Sequence, residues 1–358
     1  MENSSLIPKT SSSSVFFSFA TITLAIIGLL YFDGILKPFV VAFLVWFIIN
    51  QVRLAIEKIK INGKSLPSAI SSTLAFLIIL IVTFLIAEML IRNLEGIVAS
   101  MPEYMAKLNE SYGNASALIN DPKYAEYIQK WINGLDLAGM ATGLINSLSG
   151  ILANFAVVVV YVIFFIMEDA TQRLKLEKLF PEKGKQFQKF VNNMQQISAS
   201  IRSFIWQKTA ISLITGGVSY VILLIMGVDY ALLWSFLIFM LNFIPYIGPL
   251  ISSLFPAIFA VLIKGDLMQF VYVFAAMEGV QIILGNFVEP KMMGKGTNLG
   301  PVTVIVALAF WGMIWGIVGM ILAVPVTAVL VIILSQLPST RYLAILLSEK
   351  GEIPDIED

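Results

Sequence analysis

Long apolar runs are the feature that most limits what this chain can fold into. A helix needs about 20 consecutive, mostly apolar residues to cross the hydrocarbon core of a bilayer. The composition agrees with such spans, because 58% of the 358 residues are hydrophobic and 13% are charged, whereas soluble domains carry about 45–50% and roughly 25%. The sequence therefore predicts an all-α, polytopic integral membrane protein in contact with membrane lipids. The clear runs are residues 15–32, 35–50, 68–90, 144–167, 209–228 and 267–288.

The residue types that the chain lacks exclude several classes of function. It contains no cysteine and no histidine, so disulfides, thiolate or imidazole metal sites and the commonest general base are ruled out. The catalytic patterns HExxH and GxSxG are also absent from the sequence. Lysine plus arginine equals aspartate plus glutamate at 23 each, so no basic surplus favours nucleic acid. We predict no enzyme activity, no catalytic or metal-ligating residue, no cofactor and no nucleic-acid partner.

Basic residues after the second run predict the orientation in the membrane. Only Asp33 and Gly34 lie between the first two apolar runs. The two runs are therefore expected to form an antiparallel pair of helices, which returns the chain to the side of the membrane where it started. That side then carries Arg53, Lys58 and Lys60. Because loops rich in lysine and arginine stay in the cytoplasm, we expect both termini to be cytoplasmic.

This orientation divides the chain into six regions. Residues 168–208 are expected to be amphipathic, because apolar residues recur at every third or fourth position between 187 and 204. Such a helix can lie on the membrane surface or pack on a partner subunit, and a helix that only leads into the next span is the alternative interpretation. The six regions are 1–90 with transmembrane helices 1–3, 91–143 as a small, partly helical external domain, 144–167 as transmembrane helix 4, 168–208 as a cytoplasmic amphipathic segment, 209–337 as the transmembrane core, and 338–358 as a cytoplasmic acidic tail.

Two further apolar runs are broken by glycine and proline. Residues 230–263 are too many for one upright helix and too few for two full spans, and Pro245 and Pro249 lie near their middle. Residues 300–337 contain Gly316 among other breakers. We predict two re-entrant helical hairpins of opposite topology, which brings the total to about eight membrane segments. Non-helical backbone survives at membrane depth where it lines a cavity, although two ordinary kinked helices are the alternative interpretation.

Four fragments of the sequence occur in a specific order and spacing, namely QKTAISLITG (207–216), LNFIPYIGP (241–249), GNFVEPKMMGKG (285–296) and FWGMIWGIVGMILAVPVTAVL (310–330). In this order and spacing they resemble the AI-2E family of bacterial transporters. The family includes exporters of the signal autoinducer-2 and sodium/proton antiporters. The resemblance implies a permease of the bacterial inner (cytoplasmic) membrane and a homo-oligomer, with a pentamer as one expected number of subunits. Relatives often carry an acidic residue where this chain has Leu284, so no ion-coupling role is carried over to that position.

Polar residues on the 267–288 run and just beyond it are candidates for a substrate or ion pathway. A charge at the bilayer centre costs at least about 2.5–3.5 kcal/mol, so it needs an explanation. Glu278 lies in the middle of the run and Gln281 lies three residues on, on nearly the same helix face. Glu289 can bind and release a proton, and Asn286 adds a neutral oxygen. The alternative roles of the two carboxyls are a contact between subunits for Glu278 and an interface residue at the helix end for Glu289.

Further candidates lie at the start of the 209–228 run and at the first predicted hairpin tip. Lys208 can extend towards lipid headgroups, or it can pair with Glu289 or with an anionic cargo. The tip residues are expected to hold backbone polar groups open at membrane depth. These further candidates are Lys208, Thr209, Asn242, Pro245, Gly248 and Pro249.

The leading functional hypothesis is a secondary transporter that exports a small polar molecule such as autoinducer-2 by alternating access around the two hairpins. An Na⁺(Li⁺)/H⁺ antiporter that uses intramembrane carboxylates is the alternative. A passive oligomeric pore is less favoured, because pores normally need a ring of charge or carbonyls and the sequence has no glycine-rich filter. The expected partners are therefore lipids, a small-molecule or cation substrate, and further copies of the chain.

Overall fold

The regular secondary structure of the described residues is helical apart from one β-hairpin, whose two strands have two residues each. The computed structural model describes residues 12–61, 64–116, 155–169, 184–293, 298–336 and 340–351, with isolated positions at 139, 143, 171, 175 and 178. Strands β1 (Lys60–Ile61) and β2 (Lys64–Ser65) pair antiparallel. The helices are α1 (Ser12–Tyr31), α2 (Asp33–Glu57), α3 (Ser68–Ser116), α4 (155–169), α5 (Lys185–Ile225), α6 (Ala231–Leu241), α7 (Ile247–Lys264), α8 (Met268–Ile283), a π-helical turn (Leu284–Val288), α9 (Glu289–Met293), α10 (Pro301–Ser335) and α11 (Arg341–Leu347).

Six of the described helices are long and apolar enough to cross a membrane. They belong to α2, α3, α5, α7, α10 and the continuous segment 268–288. The apolar helix α6, with 11 residues, is shorter. The prediction of a multi-pass, all-α membrane protein is therefore confirmed.

Two helices continue beyond the apolar runs from which membrane spans were predicted, because packing extends them. Helix α3 does not end at residue 90 but runs for 49 residues to Ser116. Its extension buries Ile97, Met101 and Tyr104 in the core that α6 and α7 also form. Helix α5 likewise continues from Lys185 through residue 208 to Ile225, so the described part of the predicted amphipathic segment is not a separate helix. Residues 117–138 and 144–154 lie outside the described part.

Helices α6 and α7 fold back on each other through a turn at 242–246, and we call residues 231–264 the first hairpin. Its two arms pack on each other, because the ring centroids of Trp234 on α6 and Phe259 on α7 are 5.1 Å apart. Beyond the turn, a Cβ atom on Gly248 would lie 1.8 Å from the carbonyl oxygen of Leu241. Only glycine therefore allows the two arms to approach this closely.

The chain also reverses within α10, and we call residues 301–335 the second hairpin. Gly316 has φ 65° and ψ −142°, which is not helical. Trp311 Nε1 donates a hydrogen bond of 3.1 Å to Thr327 Oγ1, although 16 residues of continuous helix would separate them by about 24 Å. A Cβ atom on Gly319 would lie 1.9 Å from the Trp311 carbonyl oxygen. Residues 317–335 therefore fold back on 301–315.

The tip of the first hairpin packs against the arms of the second hairpin. The C-terminal segment packs on the start of the second hairpin. Ile244 is buried in one cluster with Leu308 and Trp311. The described residues of the predicted acidic tail, 340–351, bind the chain just before and at the start of α10. The backbone N–H of Gly300 donates to the carbonyl of Leu347 at 3.1 Å, and Thr303 Oγ1 donates to the same carbonyl at 3.0 Å.

Candidate functional site

A cavity of about 600 Å³ lies between α5, the tip of the first hairpin, the end of α8, and the start of the second hairpin. Of the ten site residues predicted from the sequence, Thr209 and Gly248 do not line it, and Gly248 instead closes the first hairpin. The eight predicted residues that line it are Lys208, Asn242, Pro245, Pro249, Glu278, Gln281, Asn286 and Glu289.

A buried ion pair forms one wall of the cavity. Lys208 Nζ donates a hydrogen bond to Glu289 Oε1, and the two side chains are 6% and 17% exposed. Lys208 lies within α5, and Glu289 begins α9 directly after the π-helical turn. Buried charges require such partners, because desolvation of a lone charge costs several kcal/mol. Lys208 therefore does not extend towards headgroups, and its alternative predicted role as the partner of Glu289 agrees with the structure.

Two buried side-chain amides are held in place by serines that the sequence analysis did not select. Asn242 Nδ2 donates to Ser212 Oγ at 3.0 Å. Gln281 Nε2 donates to Ser252 Oγ at 3.3 Å, and that hydroxyl in turn donates to the Pro249 carbonyl at 2.8 Å. These bonds fix both amides at the cavity wall, where their oxygens are hydrogen-bond acceptors.

Glu278 brings an unpartnered oxygen to the same cavity. Its Oε1 atom is buried and has no hydrogen-bond partner in the described part of the chain. Buried polar atoms are nearly always satisfied, so an exception at a cavity wall indicates a place for a proton, a cation or a ligand donor. Among the described residues, no three or more Asp, Glu, His or Cys side chains cluster as a metal site.

The second hairpin contributes the start of its first arm and the middle of its second arm to the cavity, and not its tip. Pro301, Val304 and Val324 line the cavity, whereas residues 312–319 do not. The two hairpin tips therefore do not meet at one site.

Three further lining residues with polar side chains were not selected from the sequence. Asn298 and Glu349 reach the cavity because the C-terminal segment pairs with the start of the second hairpin, and the Glu349 N–H donates to the Asn298 carbonyl at 3.3 Å. No local pattern marks a contact between segments so far apart in the chain. Tyr246 also lines the cavity, and its position between Pro245 and Gly248 at the predicted tip is the signal that could have identified it.

The cavity can bind a small polar molecule. Its wall offers amide and carboxylate oxygens, amide N–H groups and an ammonium group already paired with a carboxylate. Apolar residues such as Phe204 and Val304 line other parts of the wall. A mostly apolar pocket with a few fixed polar groups is typical of ligand sites.

Comparisons with known proteins point in the same direction. The AI-2E family transporter model matches residues 19–339 of the chain. The chain is 27% identical over 343 residues to a putative transport protein of Haemophilus influenzae, covering 94% of this chain and 96% of that protein. It is 26% identical over 327 residues to the AI-2 transport protein TqsA of Escherichia coli, covering 90% and 92%. The putative transport protein YhhT of Escherichia coli is 27% identical over 331 residues, which are 92% of this chain and 88% of that protein.

Proposed function

Because the chain belongs to the AI-2E transporter family, we propose that it is a secondary transporter that exports a small polar molecule, similar to autoinducer-2, across the bacterial inner membrane. Its relatives are transport proteins and not enzymes. The observation that carries the proposal is the cavity of about 600 Å³, which gathers eight predicted site residues from α5, the first hairpin, α8 and α9.

The proposed substrate is neutral or nearly so. The Lys208 ammonium is already compensated by Glu289, so an anionic cargo would have to compete with a buried carboxylate. The amides of Asn242 and Gln281 offer both donors and acceptors to hydroxyl and carbonyl groups. Such groups match a small polar molecule without a fixed charge.

We propose alternating access around two re-entrant hairpins of opposite topology. Helix α6, with 11 residues, is about 16 Å long and reaches only about half of a 30 Å hydrocarbon core. Val318, near the tip of the second hairpin, lines a different cavity together with Asp33 and Gly34 at the α1–α2 turn. That turn is predicted to face outside, which supports a second hairpin entered from the cytoplasm. Movement of the second hairpin against the first would then open and close the substrate cavity.

Flux measurements in proteoliposomes test this function. Wild-type protein is expected to move autoinducer-2 in a saturable manner, and Asn242→Leu is expected to abolish that flux by removing a fixed amide from the cavity. Asn93→Leu is the matched control, because Asn93 donates its amide to the Met89 carbonyl on α3, away from the cavity. If wild-type protein moved neither small polar molecules nor Na⁺ or H⁺, the proposal would fail.

The unpartnered oxygen of Glu278 favours a second candidate function, an Na⁺(Li⁺)/H⁺ antiporter. A carboxylate at this position can exchange a proton for a cation. Glu278→Gln and Glu289→Gln are then expected to abolish proton exchange, measured with a pH-sensitive dye with and without Na⁺ or Li⁺. Glu88→Gln on the exposed face of α3 is the control. The antiporter would be rejected if the protein showed no cation-dependent proton movement and both cavity variants still exported autoinducer-2.

Orientation and assembly belong to the same proposal. We propose cytoplasmic termini, as the basic residues Arg53, Lys58 and Lys60 at the end of α2 favour, and a homo-oligomer as in the family resemblance. Because the chain has no cysteine, single cysteines introduced at position 9 and at position 34 can be labelled separately from each side of the membrane. Labelling of position 9 from outside would contradict the proposed orientation.

A further inference from the structure

The tip of the first hairpin contains a strained turn centred on Tyr246. This residue has φ 63° and ψ −52°, and the Ile247 N–H donates to the Pro245 carbonyl at 2.7 Å. This is a three-residue γ-turn of the positive-φ kind, which is rare and strained. A bulky residue at positive φ is an outlier. Strain of this kind clusters at ligand sites, where the surrounding structure imposes it.

The neighbours of Tyr246 prevent the turn from relaxing. On one side Ile244 is buried against the second hairpin. On the other side Gly248 already touches the Leu241 carbonyl closely enough to exclude a Cβ atom. The Pro249 carbonyl accepts hydrogen bonds from the hydroxyls of two serines of α7, which fix the start of this helix. The turn is therefore held from both ends.

The consequence of the turn is the position of the Tyr246 side chain. The residue is 60% exposed and lines the cavity beside Asn242, Glu278 and Gln281. Its hydroxyl makes no hydrogen bond within the described part of the chain. The ring is also the only aromatic surface on the hairpin side of this cavity wall among the described residues. A flat apolar face therefore stands beside fixed amide and carboxylate groups.

This combination recognises a particular chemical class. A polyhydroxylated molecule has C–H groups that pack on an aromatic face and hydroxyls that bond to amides and carboxylates. We propose that Tyr246 is a specificity-determining residue, which packs on the C–H face of a small, neutral polyhydroxylated substrate while its phenol bonds to one substrate hydroxyl. The inference deepens the proposed function and rests on it.

The test compares variants that separate the ring, the hydroxyl and the backbone strain. The probes are labelled glycerol, xylitol and sorbitol, with flux measured against concentration in proteoliposomes of the full-length protein. Tyr246→Phe is expected to raise KM about fivefold, as the loss of one hydrogen bond implies. Tyr246→Gly is expected to raise KM by on the order of tenfold or more, equivalent to ~1.4 kcal/mol or more, with a largely unchanged maximal rate.

Thermal unfolding separates recognition from folding. Glycine adopts positive φ without strain, so Tyr246→Gly should unfold at the same temperature as wild type or higher, even though its KM rises. Tyr272, an exposed tyrosine of α8 outside the cavity lining, provides the control, and Tyr272→Phe should leave KM unchanged.

The outcomes distinguish this inference from the proposed function. If Tyr246→Gly kept the wild-type KM, the side chain would face lipid or a neighbouring subunit and the inference would be wrong. If wild-type protein carried autoinducer-2 but none of the three polyols, the proposed substrate class would be wrong. If wild-type protein carried no small polar molecule at all, the proposed function itself would fail.

Discussion

Breaking the buried Lys208–Glu289 pair should cost more stability than removing it entirely. Both side chains are largely buried, at 6% and 17% exposed. Lys208→Met leaves the Glu289 carboxylate buried without its partner, and Glu289→Met leaves the ammonium alone. Removing one partner of a buried pair costs about 3–5 kcal/mol, whereas replacing both by apolar residues of similar volume is often neutral.

These free energies translate into measurable melting temperatures. At about 2 °C per kcal/mol for a protein of this size, each single variant should lower Tm by about 6–10 °C. The double variant Lys208→Met/Glu289→Met should melt close to wild type. The difference between the double variant and the sum of the single variants is the coupling energy of the pair.

Thermal unfolding of the detergent-solubilised protein, followed by size-exclusion chromatography, measures the effect. The Arg92–Glu88 pair of α3 is a matched control, because its side chains are 75% and 40% exposed and exposed pairs contribute about 0–1 kcal/mol. Arg92→Met should therefore shift Tm by no more than about 2 °C. A Lys208→Met protein that melts like wild type would mean that Lys208 is solvated after all, and the assignment of the pair to the cavity wall would be refuted.

Three other substitutions, and one comparison at Gly279, test the hairpins and the cavity by the same melting assay. Gly248→Ala should lower Tm by several degrees, because its Cβ atom would lie 1.8 Å from the last carbonyl oxygen of α6. Gly279→Ala on α8 meets open space. This substitution should raise Tm by about 2 °C, since alanine favours a helix by about 1 kcal/mol relative to glycine. Trp311→Phe removes the bond to Thr327 that joins the arms of the second hairpin, and Tm should fall by about 2 °C for the ~1 kcal/mol of that bond. Glu278→Gln should leave Tm unchanged or higher, because its buried Oε1 has no partner and the substitution therefore breaks no hydrogen bond of that atom. A fall of more than about 2 °C would show that the Glu278 carboxyl makes a stabilising contact.

The length of apolar runs predicted the class of fold well but the helix ends poorly. The rule of about 20 residues counts the segment that lipid can cover, whereas a helix continues wherever its backbone bonds and one packed face persist. Helix α3 extends to Ser116 because Met101 and Tyr104 find partners around the first hairpin. Tyr104 Oη also donates to Asp229 Oδ2 at 2.9 Å. Such long-range contacts leave no mark in a hydropathy pattern.

Polar residues in apolar surroundings were the most informative signal for the site. A buried charge or amide needs a hydrogen-bonding partner, so Lys208, Asn242 and Gln281 were expected to lie near other polar groups. The structure places all three at one cavity. This signal does not identify the residues that bind these polar side chains. Ser212 and Ser252 are small, common helix residues, and nothing in the sequence separates them from other serines.

The two hairpins reverse the chain by the same local feature, but only one of their tips lines the cavity. In each, a glycine just after the tip takes the closest approach of a carbonyl from the first arm: Gly248 meets Leu241, and Gly319 meets Trp311. A larger residue would push the arms apart, so both glycines serve the chain reversal. Only the first tip, with its strained residue Tyr246, lines the cavity. Substitutions at the second tip should therefore alter access to the cavity through the movement of the arms, while substitutions at the first tip should alter binding itself.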